Sequence, residues 1–292
     1  MPVTPVRRRW RTVALAASAA LVGLTVPALT APSAGAASAP PAGAASAPPA
    51  GVASAPPAGV ASAAYDDTYY ADAIGRTGPA LKDSLHTIIS DQRKLSYSAV
   101  WDALKVTDQD PNNSGNVILL YSGISRSKSR NGGNTGDWNR EHVWAKSHGD
   151  FGTSTGPGTD LHHLRPEDVQ VNSIRGNKDF DNGGSAFGNS GGSLTDSNSF
   201  EPRDAVKGDV ARMVLYMAVR YEGTDGWPDL EPNDSVTNGS APYHGRLSVL
   251  KQWHQQDPPD AFEKRRNDVI HASYQHNRNP FIDHPEWVEA IW

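Results

Sequence analysis

The feature that most restricts this 292-residue chain is one it lacks: it contains no cysteine. Neither a disulfide framework nor a thiolate metal site can hold it together, so the fold must rest on a buried core. From Tyr65 to Trp292 the chain is long enough for one sizeable domain. The N-terminus sharpens that demand. Arg7, Arg8, Arg9 and Arg11 precede an apolar run from Val13 to Leu29, followed by the small-residue triplet Ala34-Gly35-Ala36. This order predicts a signal peptide over residues 1–36. The run is short and is interrupted by Gly23 and Pro27, and no later segment resembles a membrane span more closely. The mature protein is therefore expected outside the cell, free of the membrane and monomeric. The residues after Arg7-Arg8 fit a twin-arginine signal poorly, which favours the general secretory route.

Residues 37–60 read ASAPPAGA, ASAPPAGV, ASAPPAGV. Ala, Pro, Gly and Ser bury little apolar surface, and Pro-Pro favours an extended chain, so residues 37–63 read as a disordered linker. The catalytic domain is expected over 64–292. Loss of four leader arginines, with no acidic residue among the first 36, takes the net charge from −5 to −9. Such a protein has no global field that attracts a polyanion. Any nucleic-acid contact must come from a local basic patch and a metal ion, which suits a fast-releasing enzyme better than a tight binder.

Apolar spacing predicts a helix from Pro79 through Asp91 and a second over 98–105. Asn116–Tyr121 reads as a buried strand, and 122–136 as a polar loop. Helices follow over 207–222, around Leu247, Leu250 and Trp253, over 262–274 and over 285–292; Val210, Met213, Val214, Met217 and Tyr221 mark one apolar face of the first of these. The expected class is α+β, a mostly helical domain around a small β element.

The chemistry lies between residues 139 and 177. Asn139-Arg140-Glu141-His142-Val143-Trp144 is followed by a Gly/Ser/Thr loop, then Thr159-Asp160-Leu161-His162-His163-Leu164, then Arg165-Pro166-Glu167-Asp168 and a run to Asn177. Pro166 suits a first helical turn, Glu167 and Asp168 complement its positive end, and Gly176 can terminate it. The order is strand, loop, strand, helix: a ββα-metal (His-Me finger, HNH-like) hairpin and helix. Hydrolysis of a phosphodiester needs a water made nucleophilic near neutral pH, counter-charge for the phosphate and help for the leaving oxygen. A hard divalent ion supplies the last two and a histidine the first. Glu141 and His142 can serve as ligand and base if the strand end breaks strict alternation, and Asn172 can reach the same ion through its amide oxygen.

Arg140-Glu141-His142-Val143-Trp144, Asp160-Leu161-His162-His163-Leu164-Arg165-Pro166 and Val171-Asn172-Ser173-Ile174-Arg175-Gly176-Asn177 together resemble the motifs of the secreted and periplasmic endonuclease I family. The resemblance extends to Glu201-Pro202, residues 207–212, 265–268 and 277–281, and so covers most of residues 65–292. It implies cleavage of DNA, and often RNA, without sequence preference, leaving 5′-phosphates. It implies Mg2+ as cofactor, with Mn2+ as a substitute, held by Glu141 and Asn172, and His142 as general base. His163 takes the place of an Asn that braces the first strand in many HNH-like hairpins, and Asp160 fixes the turn before the second strand. Ala145 stands where the family has Pro, and Ile174 where it usually has Asp. The phosphate-binding Arg of some relatives falls in the inter-strand loop, and residues 145–159 contain none; Arg165 and Arg175 are the expected replacements.

Two other readings compete. His142, His162 and His163 could form a three-histidine zinc site, although adjacent histidines rarely meet one ion and no HExxH spacing exists. A non-catalytic extracellular DNA-binding or wall-attached module is the other, opposed by the negative mature charge and the intact Glu-His plus Asn set. The polar runs at 265–267 and 277–279 are consistent with ion pairs that hold the last helices or with a phosphate-contacting wall; structure is favoured.

Overall fold

The computed structural model describes residues 68–292; the leader expected over 1–36 and the linker expected over 37–63 lie outside the described residues. Helix α1 (Gly78–Ile89) carries Pro79 in its first turn, where a missing N–H costs nothing, and buries Leu81, Leu85 and Ile89 at helical spacing. Helix α2 (Val100–Thr107) buries Val100, Ala103 and Leu104. A three-stranded antiparallel sheet follows, ordered β1 (Gln109–Asp110), β2 (Asn113–Ile118) and β3 (Ser125–Ser127). The strand expected over 116–121 thus starts earlier and stops at Ile118. Leu119, Leu120 and Tyr121 stay buried but leave that ladder, because the backbone N–H of Leu120 donates to Pro166 O at 3.0 Å and that of Tyr121 to the Glu167 carboxylate. The loop expected over 122–136 holds β3 and the 3-10 turn Lys128–Arg130.

Strand β4 (Trp138–His142) pairs antiparallel with β5 (Leu164–Asp168), with Glu141 opposite Arg165 and His142 opposite Leu164; helix α3 (Val169–Arg175) follows directly. Pro166 and Glu167 are strand residues here, not the first helical turn. The helix starts later because Asp168 is its N-cap: its carboxylate accepts from the N–H groups of Gln170 (2.8 Å) and Val171 (3.2 Å). Gly176, at φ +59°, ends the helix, and its N–H donates to Asn172 O at 2.9 Å.

A second sheet has the order β6 (Asp179–Phe180), β9 (Ser199–Glu201), β8 (Leu194–Thr195), β7 (Ser185–Ala186). Helix α4 (Lys207–Arg220) then crosses the centre. It was expected to show one apolar face, yet every residue from Gly208 to Arg220 is buried. Burial on all sides is tolerated because its polar residues are paired: Asp209 with Arg165, Arg212 with Glu263, Arg220 with Asp225. Strands β10 (Glu231–Asn233) and β11 (Tyr243–Gly245) pair in parallel. Helices α5 (Leu247–Gln256), α6 (Ala261–Val269), α7 (Pro280–Asp283) and α8 (Trp287–Ile291) complete the chain. The helix expected over 262–274 changes to a π-turn at Ile270, α7 was not expected, and α8 is shorter than the 285–292 anticipated. The class is α+β, as expected, but turns and irregular segments hold more of the described residues than the α-helices do, so "mostly helical" overstates it.

Two apolar clusters form the core. The larger surrounds α4 and includes Val143, Trp144 and Val171; the smaller joins α2 to Val117, Trp138, Leu161 and Leu164. The β4–β5 hairpin and α3 contribute to both, which pins residues 139–142 on a rigid support. No helix of the described residues is long and apolar enough to cross a membrane.

Candidate active site

Asn139, Arg140, Glu141 and His142 all line one cleft of about 750 Å³, together with Asn172, Arg175, Lys146, Tyr97 and Trp101. Strict alternation would send successive side chains of a strand to opposite faces, yet Glu141 and His142 both line this cleft.

Glu141 is buried. Its Oε1 accepts from Tyr121 Oη at 2.8 Å and lies 3.2 Å from Arg175 Nη1, and the backbone N–H of His142 also favours the charged carboxylate. Burial pushes its carboxyl above the ordinary value, and Arg175 and Tyr121 offset only part of that. Asn172 donates through Nδ2 to Asn139 Oδ1 at 2.8 Å, which leaves its own Oδ1 without a partner. A carboxylate oxygen and an amide oxygen with unused acceptor capacity, beside an under-compensated buried carboxylate, form a hard donor set. It fits a divalent ion such as Mg2+.

His142 Nε2 lies 3.1 Å from the carbonyl oxygen of Gly158, so that nitrogen carries the ring proton and donates it. Burial, with His163, Lys146 and Arg140 acting in the same direction, holds the ring well below its ordinary pKa against the Gly158 carbonyl. The ring is therefore neutral near pH 7, and Nδ1 is an unprotonated nitrogen with no hydrogen bond among the described residues. His163 supports this arrangement from behind. Its Nε2 lies 2.7 Å from Pro157 O, its carbonyl accepts from Val143 N at 3.0 Å, and its ring centroid is 5.5 Å from that of His142. It braces both the loop that orients His142 and the end of β4.

Arg175 also lines the cleft, but its guanidinium is engaged: Nη1 donates to His142 O at 2.9 Å and Nη2 to Val143 O at 2.6 Å. Arg165 does not line it. Its guanidinium is buried against Asp108 and Asp209, even though its backbone faces Glu141 across the hairpin. Asp160 is likewise away from the cleft, accepting from His162 N (2.9 Å), Gln275 Nε2 (2.9 Å), Tyr216 Oη (3.0 Å) and Tyr221 Oη (2.9 Å). His162 turns to Asn277, so the three histidines of the zinc alternative do not converge. Arg266 binds Asp108 and Arg278 binds Asp283, which is the structural role favoured for the C-terminal polar runs. Lys146, Tyr97 and Trp101 were not singled out as site residues. Lys146 lies in the inter-strand loop, where the resemblance implies an Arg, and the two aromatics belong to a separate segment, with Arg140 over the Tyr97 ring at 3.4 Å. Elsewhere, donor atoms of His148, Asp179 and His244 lie within 4.8 Å of one another, close enough by distance alone to share an ion.

Residues 77–286 match the endonuclease I family. The chain belongs to that family. It is a nuclease, and its substrate is nucleic acid. The chain is 68% identical over 226 residues to the extracellular ribonuclease of Bacillus subtilis (strain 168), covering 77% of this chain and 78% of that protein. It is 67% identical over 230 residues to the extracellular ribonuclease of Bacillus amyloliquefaciens, covering 79% and 80% respectively. Both alignments span more residues than the hairpin and helix alone, so the similarity reaches the flanking helices.

Proposed function

We propose that this endonuclease I family member is a secreted, Mg2+-dependent, sequence-indifferent endonuclease that hydrolyses RNA as well as DNA through a ββα-metal hairpin. The observation that carries the reading is the placing of His142 in one cleft with Glu141 and Asn172, with Nε2–H committed to Gly158 O so that the Nδ1 lone pair is left without a hydrogen bond among the described residues. His142 Nδ1 takes the proton of the attacking water, and the imidazolium that forms is steadied by the Gly158 carbonyl. Glu141 Oε2 and Asn172 Oδ1 would hold the magnesium. When bound, the ion supplies counter-charge to the phosphate and to the leaving 3′-oxygen. Water then adds at phosphorus, the P–O3′ bond breaks, the leaving 3′-oxygen takes a proton from solvent water while His142 returns its own to solvent, and the products are a 5′-phosphate and a 3′-hydroxyl.

Arg165 is not carried forward as the phosphate contact, because Asp108 and Asp209 already neutralise it. Among the cations that line the cleft, Lys146 alone has no side-chain hydrogen bond or ion pair among the described residues, and it takes that role. Arg140 and Arg175, two cleft residues of a base-reading type, are already engaged by Tyr97 O and by the carbonyls of His142 and Val143, which favours cleavage without sequence preference. The names of the two Bacillus relatives support RNA as a substrate and export from the cell. The Arg-rich leader over 1–36 and the repeat tether over 37–63 fit export followed by release.

The test is a comparison of plasmid DNA and a long RNA incubated with the protein in Mg2+, in excess EDTA and in Zn2+ alone. Both polymers should give a broad ladder in Mg2+ and remain intact in EDTA. RNA fragments should end in 5′-phosphates. A 2′,3′-cyclic phosphate would mean attack by the ribose hydroxyl instead of water, and undiminished cleavage in EDTA would remove the metal from the mechanism.

A further inference from the structure

Arg175 reaches the reaction centre from α3 and is held from behind by a residue outside the three motifs. Its Nη2 lies 3.0 Å from His244 Nε2 on β11. A guanidinium has only donors, so His244 Nε2 must offer a lone pair. Burial, with His148 and Arg175 adding to it, keeps the His244 ring neutral. Its one proton therefore sits on Nδ1, which makes no hydrogen bond among the described residues and lies 3.4 Å from Asp179 Oδ1, an electrostatic contact only. Asp179 is fixed in turn, accepting from Gly245 N at 2.9 Å and from Asn238 Nδ2 at 2.8 Å. The ring itself is clamped, stacked on Phe180 at 5.0 Å and edge-on to Trp144 at 5.4 Å.

The same reasoning bears on the His148, Asp179 and His244 cluster. A ring whose Nε2 accepts from an arginine cannot present an Nδ1 lone pair to an ion. His148 has Nδ1 at 2.6 Å from Tyr243 O and Nε2 at 2.8 Å from Asn177 O, so both of its nitrogens face acceptors. The donor geometry is that of a polar brace, not of a cation site.

We propose that His244 is a positioning residue for the nuclease centre, whose Nε2 orients the Arg175 fork so that Nη1 stays against Glu141 Oε1 and the carbonyl of His142. The chain of contacts runs Asp179, His244, Arg175, Glu141. Arg175 Nη1 is 3.2 Å from Glu141 and 2.9 Å from His142 O, and Nη2 also donates to Val143 O at 2.6 Å, so a guanidinium that lost the His244 acceptor would be held from one side only and could turn away from the carboxylate. This inference rests on the proposal that Glu141 holds the metal. In that case, removal of the acceptor on His244 weakens metal binding without a change in any residue that lines the cleft.

Two measurements test it. The first uses the parent protein: nitrogen-15 NMR of the histidine rings should show His244 protonated on Nδ1 with a lone pair on Nε2. A proton on Nε2 would overturn the proposal regardless of any result on catalysis. The second compares Mn2+ binding, read by electron paramagnetic resonance, in His244→Phe and His244→Gln. Phe keeps the stacked ring and removes the acceptor; Gln keeps an acceptor oxygen at the same reach. His244→Phe should bind Mn2+ about tenfold or more weakly, the range for loss of an outer support to a metal ligand, and His244→Gln should recover most of that. Equal, parent-like binding by both variants would overturn the proposal, as would equal loss in both. If the Phe variant does not fold, the ring-proton measurement still decides. A parent protein that binds no Mn2+ would instead refute the Glu141 reading on which this rests.

Discussion

Two buried carboxylates flank the loop between β4 and β5, each with a histidine beside it, and they have opposite fates. Glu141 and Asp160 are both 2% exposed, so burial does not distinguish them. Asp160 has donors on both oxygens: His162 N and Gln275 on one, Tyr216, Tyr221 and Gln92 on the other. Burial alone would raise its carboxyl, yet His162 and Gln275 bring it below the ordinary range. Glu141 has fewer supporting groups, Arg175, Tyr121 and the His142 backbone N–H, and burial wins. A saturated buried carboxylate is a structural anchor; one left short of positive charge, at the wall of a cleft, can take a cation. The histidines differ in the same way. His162 is turned inward to Asn277, and His142 lines the cleft with Nδ1 free of hydrogen bonds among the described residues.

The comparison breaks most readily at the histidine and the aspartate themselves. His142→Ala should lower the cleavage rate by about 10²–10⁴, the usual loss for a general base, while circular dichroism and melting temperature stay near the parent. Asp160→Ala should do the reverse. Four close donors would lose their acceptor inside the core, at a cost of about 3–5 kcal/mol read by urea unfolding. A folded, fully stable Asp160→Ala protein would mean that the anchor reading is mistaken, and an active His142→Ala protein would move the base elsewhere.

Acid should sharpen the contrast next. Burial, with Arg266 acting the same way against Asp160, pushes His162 down to about 4. Unfolded, the same ring titrates near 6.5, so between these values the unfolded chain binds the extra proton. The stabilisation is complete above pH ~6.5 and is lost as pH falls towards 4, by up to about 1.4 kcal/mol per pH unit. His162→Gln removes one such proton, and its plot of unfolding free energy against pH should be shallower by that amount. An unchanged slope would show that His162 is not buried neutral.

How much of this was legible in the sequence follows from where each constraint is written. That Glu141, His142 and Asn172 come to share one cleft was readable because local order carries it: strand, loop, strand and helix lie close together in the chain. Arg165 and Pro166 were misplaced because their surroundings are long-range. Asp108 and Asp209, which neutralise Arg165, come from elements far along the chain in either direction. Pro166 lies within a strand because Asp168 can cap the helix two residues later, and the helical signals of Pro, Glu and Asp do not tell which of them is the boundary. The apolar stripe on α4 was a correct reading of its nonpolar residues. It missed that Asp209, Arg212 and Arg220 find buried partners, which no periodicity reports. His244, from a segment with no motif, is invisible until β11 is placed beside α3.

The smallest and most discriminating change is the same atom removed at each carboxylate. Tyr121 and Tyr216 each donate a hydroxyl to a buried carboxylate oxygen, at 2.8 Å to Glu141 and 3.0 Å to Asp160. Both phenols are driven well above their ordinary pKa by burial next to the acid, so each stays a donor throughout the working range. Tyr216→Phe removes one of four close donors from a saturated acceptor and strips Asn277 Nδ2 of a 2.8 Å acceptor. It should cost about 1–2 kcal/mol of stability and leave magnesium dependence unchanged. Tyr121→Phe removes one of the two side chains that orient Glu141. The carboxylate keeps Arg175 but gains freedom to rotate, so the apparent magnesium requirement should rise by about 10–100-fold, with most of the rate restored at saturating metal. Cleavage rate against magnesium concentration, with melting curves on the same samples, separates the two. If both variants lost stability alone, Glu141 would be an anchor like Asp160, and the metal would have to be sought elsewhere in the cleft.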